Sequence, residues 1–459
     1  MFENSPVDIP IILFIDLLII SMCAILLMRY GRLSHSHPGT IYLFFHFYTF
    51  TLRLIGLAFG ATTLLSQYML FFEPVTEGEI VRAAILGDVA IIVMTIAWMK
   101  ASRDDLKKVR GRNDSQKASM QNLSLKHIWS VVVIAFPLGL FGFWAFTNLP
   151  GLESERIELG EWQSSSWFFI TQVWAGLALL ALIYWYGFRW WLMVPMSLYL
   201  LVMALQGYHR FRVIIPALLL IQIYLDRRKL RWPPVYMMGV MILLLLLFFP
   251  LKDIGRLTQE GEGLEQIVDV SRQSVNSALA SKAPDQQFLD QFACALTLRD
   301  NYGKYYYGST YLALVTLPIP RQWWPDKPGL ADFLKDISIP SRPMDEMGMI
   351  VTFLGESYIN FGYPGIIFIP ALLAYILGRA YFRAYRSNYF SVIRLSYLLI
   401  ACNLIQVYRD GLTSIVVFTW VNMMPLMVIV LLHYILPVRP RIEKVPVYAH
   451  AGYEKSATR

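Results

Sequence analysis

Apolar runs of roughly 20 residues recur along the whole chain, parted by polar stretches, most of them short. Each run predicts a membrane-spanning helix, near 9–29, 40–66, 80–99, 127–147, 164–186, 190–207, 212–226, 234–250, 362–382, 391–408 and 414–436, about eleven in all. One polar stretch, 251–345, is far longer than the rest. The pattern divides the chain into eight helices with short loops (1–250), a large outward-facing loop (251–345), a polar-striped segment with the last helices (346–436) and a tail (437–459). The predicted fold class is an all-α polytopic integral membrane protein.

Charge sets the topology. "KASRDDLKKVRGRNDSQKASMQNLSLK", between the third and fourth runs, is the most basic segment, and the next loop, "PGLESERIELGEW", is acidic. The positive-inside rule puts the first in the cytoplasm and the second outside. Alternation then puts "RYGRLSHSHPG", "DRRKLR", "GRAYFRAYRSN" and the C-terminal tail inside, and all four are basic. The N-terminus is expected outside and the C-terminus inside. The first run, "IPIILFIDLLIISMCAILLM", has no basic lead and no small-residue cleavage site, so it reads as a retained span.

Composition agrees, because a chain of 459 residues with 56% hydrophobic and 16% charged residues could not bury that apolar surface as a soluble domain. The net charge of +8 lies mainly in loops beside the spans, which argues for membrane orientation and against nucleic-acid binding. Cys23, Cys294 and Cys402 are too far apart in sequence to suggest a disulfide framework or thiolate metal site, and only Cys294 falls in a predicted aqueous segment.

The unexplained charges are those predicted at the outer face. "HRFR" brings His209, Arg210 and Arg212 there, and Arg409 with Asp410 follows between the last two spans. Arg321 lies in "RQWWPDK", where two nearby prolines rigidify a turn holding Trp323, Trp324 and Lys327. Arginines gathered from these segments would form a phosphate site, because guanidinium is a planar fork that stays charged. The aromatic rings suit sugar faces, and equally an interfacial belt.

In "EMGMIVTFLGESYINFGYPG", Thr352, Glu356 and Asn360 fall four apart, a polar stripe on one helical face. A Glu at membrane depth needs a partner or a wet cavity, so Glu356 is a candidate catalytic group, and Gly362, Pro364 and Gly365 suggest a re-entrant break. His209, the one histidine predicted outside, is a candidate general base. Asp16, Arg53 and Asp88 are expected to form a buried ion pair within the first three spans, and His46 and His433 read as interior histidines. Glu77 and Glu79 in "EPVTEGEIVR" weakly echo acidic metal motifs. No P-loop and no internal repeat is visible by eye.

"GYHRFRVIIPALLLIQIYLDRRKLRWPP", "YYGSTYLALVTLPIPRQWWPDKPG" and "GESYINFGYPG" resemble the Wzy-type repeat-unit polymerases of O-antigen and exopolysaccharide, across about residues 200–370. That resemblance implies a metal-independent, cofactor-free glycosyltransferase at the outer face of the bacterial inner membrane. It would join oligosaccharide units carried on undecaprenyl diphosphate, alongside a flippase and a chain-length regulator. It implies roles in diphosphate binding for Arg210 or Arg212, and for Arg321; Arg409 joins them by position. Asn360, Trp323, Trp324 and Lys327 are the candidates for holding sugar. An O-antigen ligase shares the donor, and a flippase for lipid-linked sugars is the reading without bond-forming chemistry.

Overall fold

The structure is a computed structural model that describes residues 9–62, 75–110, 125–148, 166–205, 211–248, 250, 254, 257, 264–279, 287–302, 304–316, 319, 323–324, 351–386, 391–412 and 414–435. Several of its helices begin where the sequence supplies caps. α1 (Ile9–Leu26) runs on through a π-helical turn at Leu27–Gly31. α2 (Pro38–His46) starts with proline at its first position and with the His37 ring accepting from the Gly39 amide. It continues through π-helical Phe47–Thr51 into α3 (Leu52–Ala58).

α4 (Glu77–Arg110) opens on a capping box: Glu79 accepts from the Thr76 amide at 2.7 Å while Thr76 Oγ1 accepts from the Glu79 amide at 3.3 Å. Glu79 also accepts from Thr297 Oγ1, so the Glu77 and Glu79 echo of a metal motif is here a helix start.

α5 (Leu125–Asn148), α6 (Ser166–Tyr186), α7 (Trp190–Leu205), α8 (Phe211–Arg227) and α9 (Val235–Phe248) follow. Then come α10 (Leu264–Leu279), α11 (Phe288–Tyr302), α12 (Ser309–Thr316), α13 (Phe353–Phe361), α14 (Tyr363–Arg386) and α15 (Val392–Asp410). A π-helical stretch, Ile415–Trp420, leads into α16 (Val421–Ile435). No strand occurs among the described residues.

Five stretches are long and apolar enough to cross a membrane: Ile9–Gly31, Pro38–Ala58, Glu77–Leu106, Tyr363–Arg386 and Val392–Asp410. The protein is thus a helical membrane protein with five such spans among the described residues, fewer than the eleven expected. Helices also cover the other six expected positions, among them α7, α8 and α9 at 16, 17 and 14 residues.

The helices pack as two groups. α1–α4 share a core with α11, α13 and α14, and α5–α8 share another with α16. α15 belongs to both: Leu404 and Tyr408 enter the first core, while Leu395, Leu398, Leu399 and Cys402 enter the second.

Three of the basic segments converge with the C-terminal part of α4 at one end of the bundle. Arg231 donates to the Leu33 carbonyl, Asp226 pairs with Arg394, Asp105 pairs with Arg386, and the hydroxyls of Ser36 and Tyr385 meet. At the opposite end, Arg82 of α4 bonds Asp300 of α11 at 2.7 Å, Tyr358 of α13 at 2.6 Å and Tyr363 of α14 at 2.9 Å.

Two expectations change. The segment 251–345 is not a wholly aqueous loop, because α11 lies in the core with Leu289, Phe292, Ala293 and Ala295 fully buried. All three cysteines are buried, Cys294 among them. Arg53 was expected to pair with Asp16 or Asp88; instead it makes a two-pronged bond to Asp290 of α11, Nε to Oδ2 at 2.6 Å and Nη2 to Oδ1 at 2.8 Å. The match of fork to carboxylate explains the preference for this partner. Asp16 turns to His46 Nε2 (2.8 Å) and Thr51 Oγ1 (2.6 Å).

Candidate functional site

The end of α15 is where the two helix groups meet, and it carries Arg409. The Arg409 guanidinium stacks 5.2 Å from the centroid of the ring of Phe211, the first residue of α8, and its Nε forms an ion pair with Asp410 Oδ1 at 3.5 Å. Arg212 follows Phe211 directly, is half-buried, and donates from Nη1 to Gln172 Oε1 at 3.2 Å. Gln172, buried on α6, in turn donates to the Gly142 carbonyl of α5 at 3.2 Å. Arg409 therefore lies against the start of α8, while Arg212, the next residue of that helix, turns to Gln172 of α6. His209, Arg210, Arg321 and Lys327 lie outside the described residues.

The turn after α15 is held from the other helix group. Glu356 is fully buried on α13, a short helix outside the five spans. Its Oε2 accepts from the Leu412 amide at 2.6 Å, and its Oε1 from Thr310 Oγ1 at 3.2 Å. Asn360, one turn on, donates to Thr310 Oγ1 at 2.7 Å and accepts from the Gly308 amide at 2.8 Å. Thr352 caps α13 by accepting from the Gly355 amide. The expected stripe exists, but Glu356 and Asn360 are consumed by internal bonds and face no open surface. Glu356 thus holds the turn after α15 through the Leu412 amide, and Asn360 holds Thr310 and Gly308 beside it. The expected break falls at Gly362, where φ is 63°, and α14 starts at the next residue.

Gly411 explains why the turn fits. Its φ is 96°, and a Cβ there would lie 2.5 Å from Glu356 Oε2. Gly411→Ala is expected to destabilise by about 1–2 kcal/mol through its left-handed backbone and by a further amount through displacing Glu356. Gly60→Ala is the control, since its φ is 66° but nothing lies within 4 Å of the added carbon. Thermal unfolding in detergent should show the larger loss at Gly411.

Burial pushes the Glu356 carboxyl from its ordinary 4.5 up to about 7, against the bonds from Leu412 and Thr310, which lower it. The folded state therefore keeps a proton that the unfolded chain releases, and stability falls as pH rises from about 4.5 toward 7. Glu356→Gln can keep the bond from the Leu412 amide, meets Thr310 Oγ1 with its amide NH2 as donor, and cannot ionise. Its unfolding midpoint should be flatter across that window than the wild type's, and equal slopes would refute the raised value.

Trp323 and Trp324 are both exposed. A cluster that sequence reasoning missed lies beside them in the chain order and next to α13 in space. Arg299 donates to Asp300 at 2.8 Å and stacks 3.3 Å from the centroid of the Tyr305 ring, while Arg82 reaches Asp300 from α4. Burial raises the Asp300 carboxyl, but the bonds from Arg299 and Arg82 outweigh it and hold it below the ordinary range. This network ties α4, α11, α13 and α14 together behind the candidate site. The one early signal for Gln172 was an amide in an otherwise apolar run; nothing in the sequence marked Thr310 or the Leu412 amide.

No family model, no curated protein and no solved structure matches the chain.

Proposed function

We propose that the chain is a Wzy-type polymerase, joining lipid-diphosphate-linked oligosaccharide units at the outer face of a bacterial inner membrane. The observation that carries the reading is that Arg409 of α15 stacks on Phe211 at the start of α8, beside Arg212 in the chain, at one end of the bundle. Arginines from separate helices at one end of a membrane bundle suit a bidentate, charged ligand such as a diphosphate. The end of the bundle away from the basic segments is taken as the outer one, by the positive-inside rule.

In this reading an acceptor hydroxyl oxygen attacks the anomeric carbon of the donor. The bond from that carbon to the diphosphate oxygen breaks, and the lipid diphosphate leaves with the electron pair. Arg212 and Arg409 offset the charge that grows on the leaving diphosphate. Gln172 orients Arg212, and Glu356, with Thr310 and Asn360, orients the turn carrying Arg409. His209, two residues before Phe211, is the proposed acceptor of the hydroxyl proton, and Arg210 and Arg321 are proposed as further diphosphate ligands. Trp323, Trp324 and Lys327 are proposed to hold sugar.

The test is reconstitution: purified protein in liposomes is given a lipid-diphosphate-linked repeat unit. Products of two or more units on one lipid support polymerisation. Transfer only to an added lipid A core would mean a ligase, and movement of intact units across the bilayer without new bonds would mean a flippase.

A further inference from the structure

α1 poses a question that the proposed reaction leaves unanswered. The helix carries one charged residue, Asp16, and it turns Phe14, Leu18, Met22 and Ile25 outward. Asp16 points inward and is buried, toward His46 of α2 and Asp88 of α4. The donor atoms of these three side chains lie within 4.8 Å of one another, the one group of this kind among the described residues.

His46 Nε2 is 2.8 Å from Asp16 Oδ1 and 3.8 Å from Asp88 Oδ1. Asp88 is only 4% exposed, and its Oδ1, aimed at His46, has no hydrogen-bond partner. A buried carboxylate oxygen without a donor is costly, and a second carboxylate beside it doubles the need for positive charge. The neighbouring cation, Arg53, is already matched by Asp290 in a two-pronged pair.

We propose that Asp16, His46 and Asp88 bind a divalent first-row metal ion, of which zinc is the representative. Two carboxylates and a neutral imidazole offset a charge of +2, which leaves a neutral site in a low-dielectric interior. Imidazole with carboxylate suits such ions, and ligands about 2.0–2.2 Å from one ion fall close to the observed span. Thr51 Oγ1, donating to Asp16 Oδ2 at 2.6 Å, is the outer group that holds one ligand in place. The π-helical segment Phe47–Thr51 begins directly after His46, as such segments do at functional sites. At Gly87 an added Cβ would meet the Phe50 ring at 2.6 Å and His46 Cε1 at 3.3 Å, so its smallness lets the imidazole approach α4.

The ion would fasten α1 to α2 and α4. It would not touch the candidate reaction site, since tilted and edge-on ring contacts run from His46 through Tyr42 and Tyr408 to Phe353 of α13.

The test uses full-length protein in detergent, stripped with a chelator, incubated with Zn2+ alone, desalted and assayed by elemental mass spectrometry. Wild type is expected to retain about one zinc per chain, and Asp88→Asn and His46→Gln to lose most of it while keeping native helical content. Should either variant fail to fold, Co2+ absorption of the stripped wild type reads the same site: visible bands from bound cobalt, displaced by Zn2+, support it. Zinc at background in the wild type, or equal zinc in folded variants, overturns the proposal; the former would mean that protons alone offset these carboxylates.

Discussion

Arg409→Ala and Arg212→Ala are each expected to reduce polymer formation by about 10²–10³-fold, the effect of removing one preorganised group from a developing negative charge. Neither side chain supports the fold heavily. Arg409 stacks on Phe211 and touches its neighbour Asp410, and Arg212 is half-buried with Gln172. Protein level should therefore hold while chain length collapses. Lys replacement keeps charge but loses the planar fork, so Arg409→Lys should recover only part of the rate. Arg228→Ala, in the basic segment at the other end of the bundle, is the control and should leave chain length unchanged. Arg210→Ala is expected, by position, to behave like Arg212→Ala and to shorten or abolish the polymer. Normal chain length from Arg212→Ala and Arg409→Ala at normal protein level would remove both arginines from the reaction.

Arg53→Ala should unfold the protein most readily of any single change considered. It would leave the Asp290 carboxylate in the core without the cation that now meets both its oxygens, at 2.6 and 2.8 Å. Breaking such a buried pair by removing one partner costs about 3–5 kcal/mol. The double change Arg53→Met with Asp290→Leu removes both charges and should restore most of that loss, since an apolar pair of similar volume carries no desolvation cost. Thermal unfolding of the wild type, Arg53→Met, Asp290→Leu and the double variant gives the coupling directly. Equal losses from the single and double variants would show that the pair contributes by shape alone.

The contrast between Arg53 and Glu356 shows what the sequence carries. The helical spacing of Thr352, Glu356 and Asn360 was legible because a fourfold repeat puts side chains on one face whatever they touch. Their partners were not. Thr310 and Leu412 lie 46 and 56 residues from Glu356, and one of them offers only a backbone amide, which no side-chain pattern marks. Asp290 lies 237 residues from Arg53, in a helix too short and too charged to read as part of a membrane core. α11 is buried because α4 and α13 cover it, and that is a tertiary fact. Basic segments at one end of the bundle were legible, because charge asymmetry acts on loops one at a time and needs no knowledge of packing. The number of spans was less so, since apolar runs of 14 to 17 residues, as in α7, α8, α9 and α16, look alike whether they cross a bilayer or pack against one that does.

The most direct test of the central claim is the size of surface polysaccharide and of lipid-linked intermediates in a strain lacking the chain, complemented by wild type or by Arg409→Ala. The account predicts single repeat units at the outer face and no longer chains, with full length restored by wild type and not by Arg409→Ala. Long lipid-linked chains accumulating in the deletion strain, or single units trapped on the inner face, would contradict it.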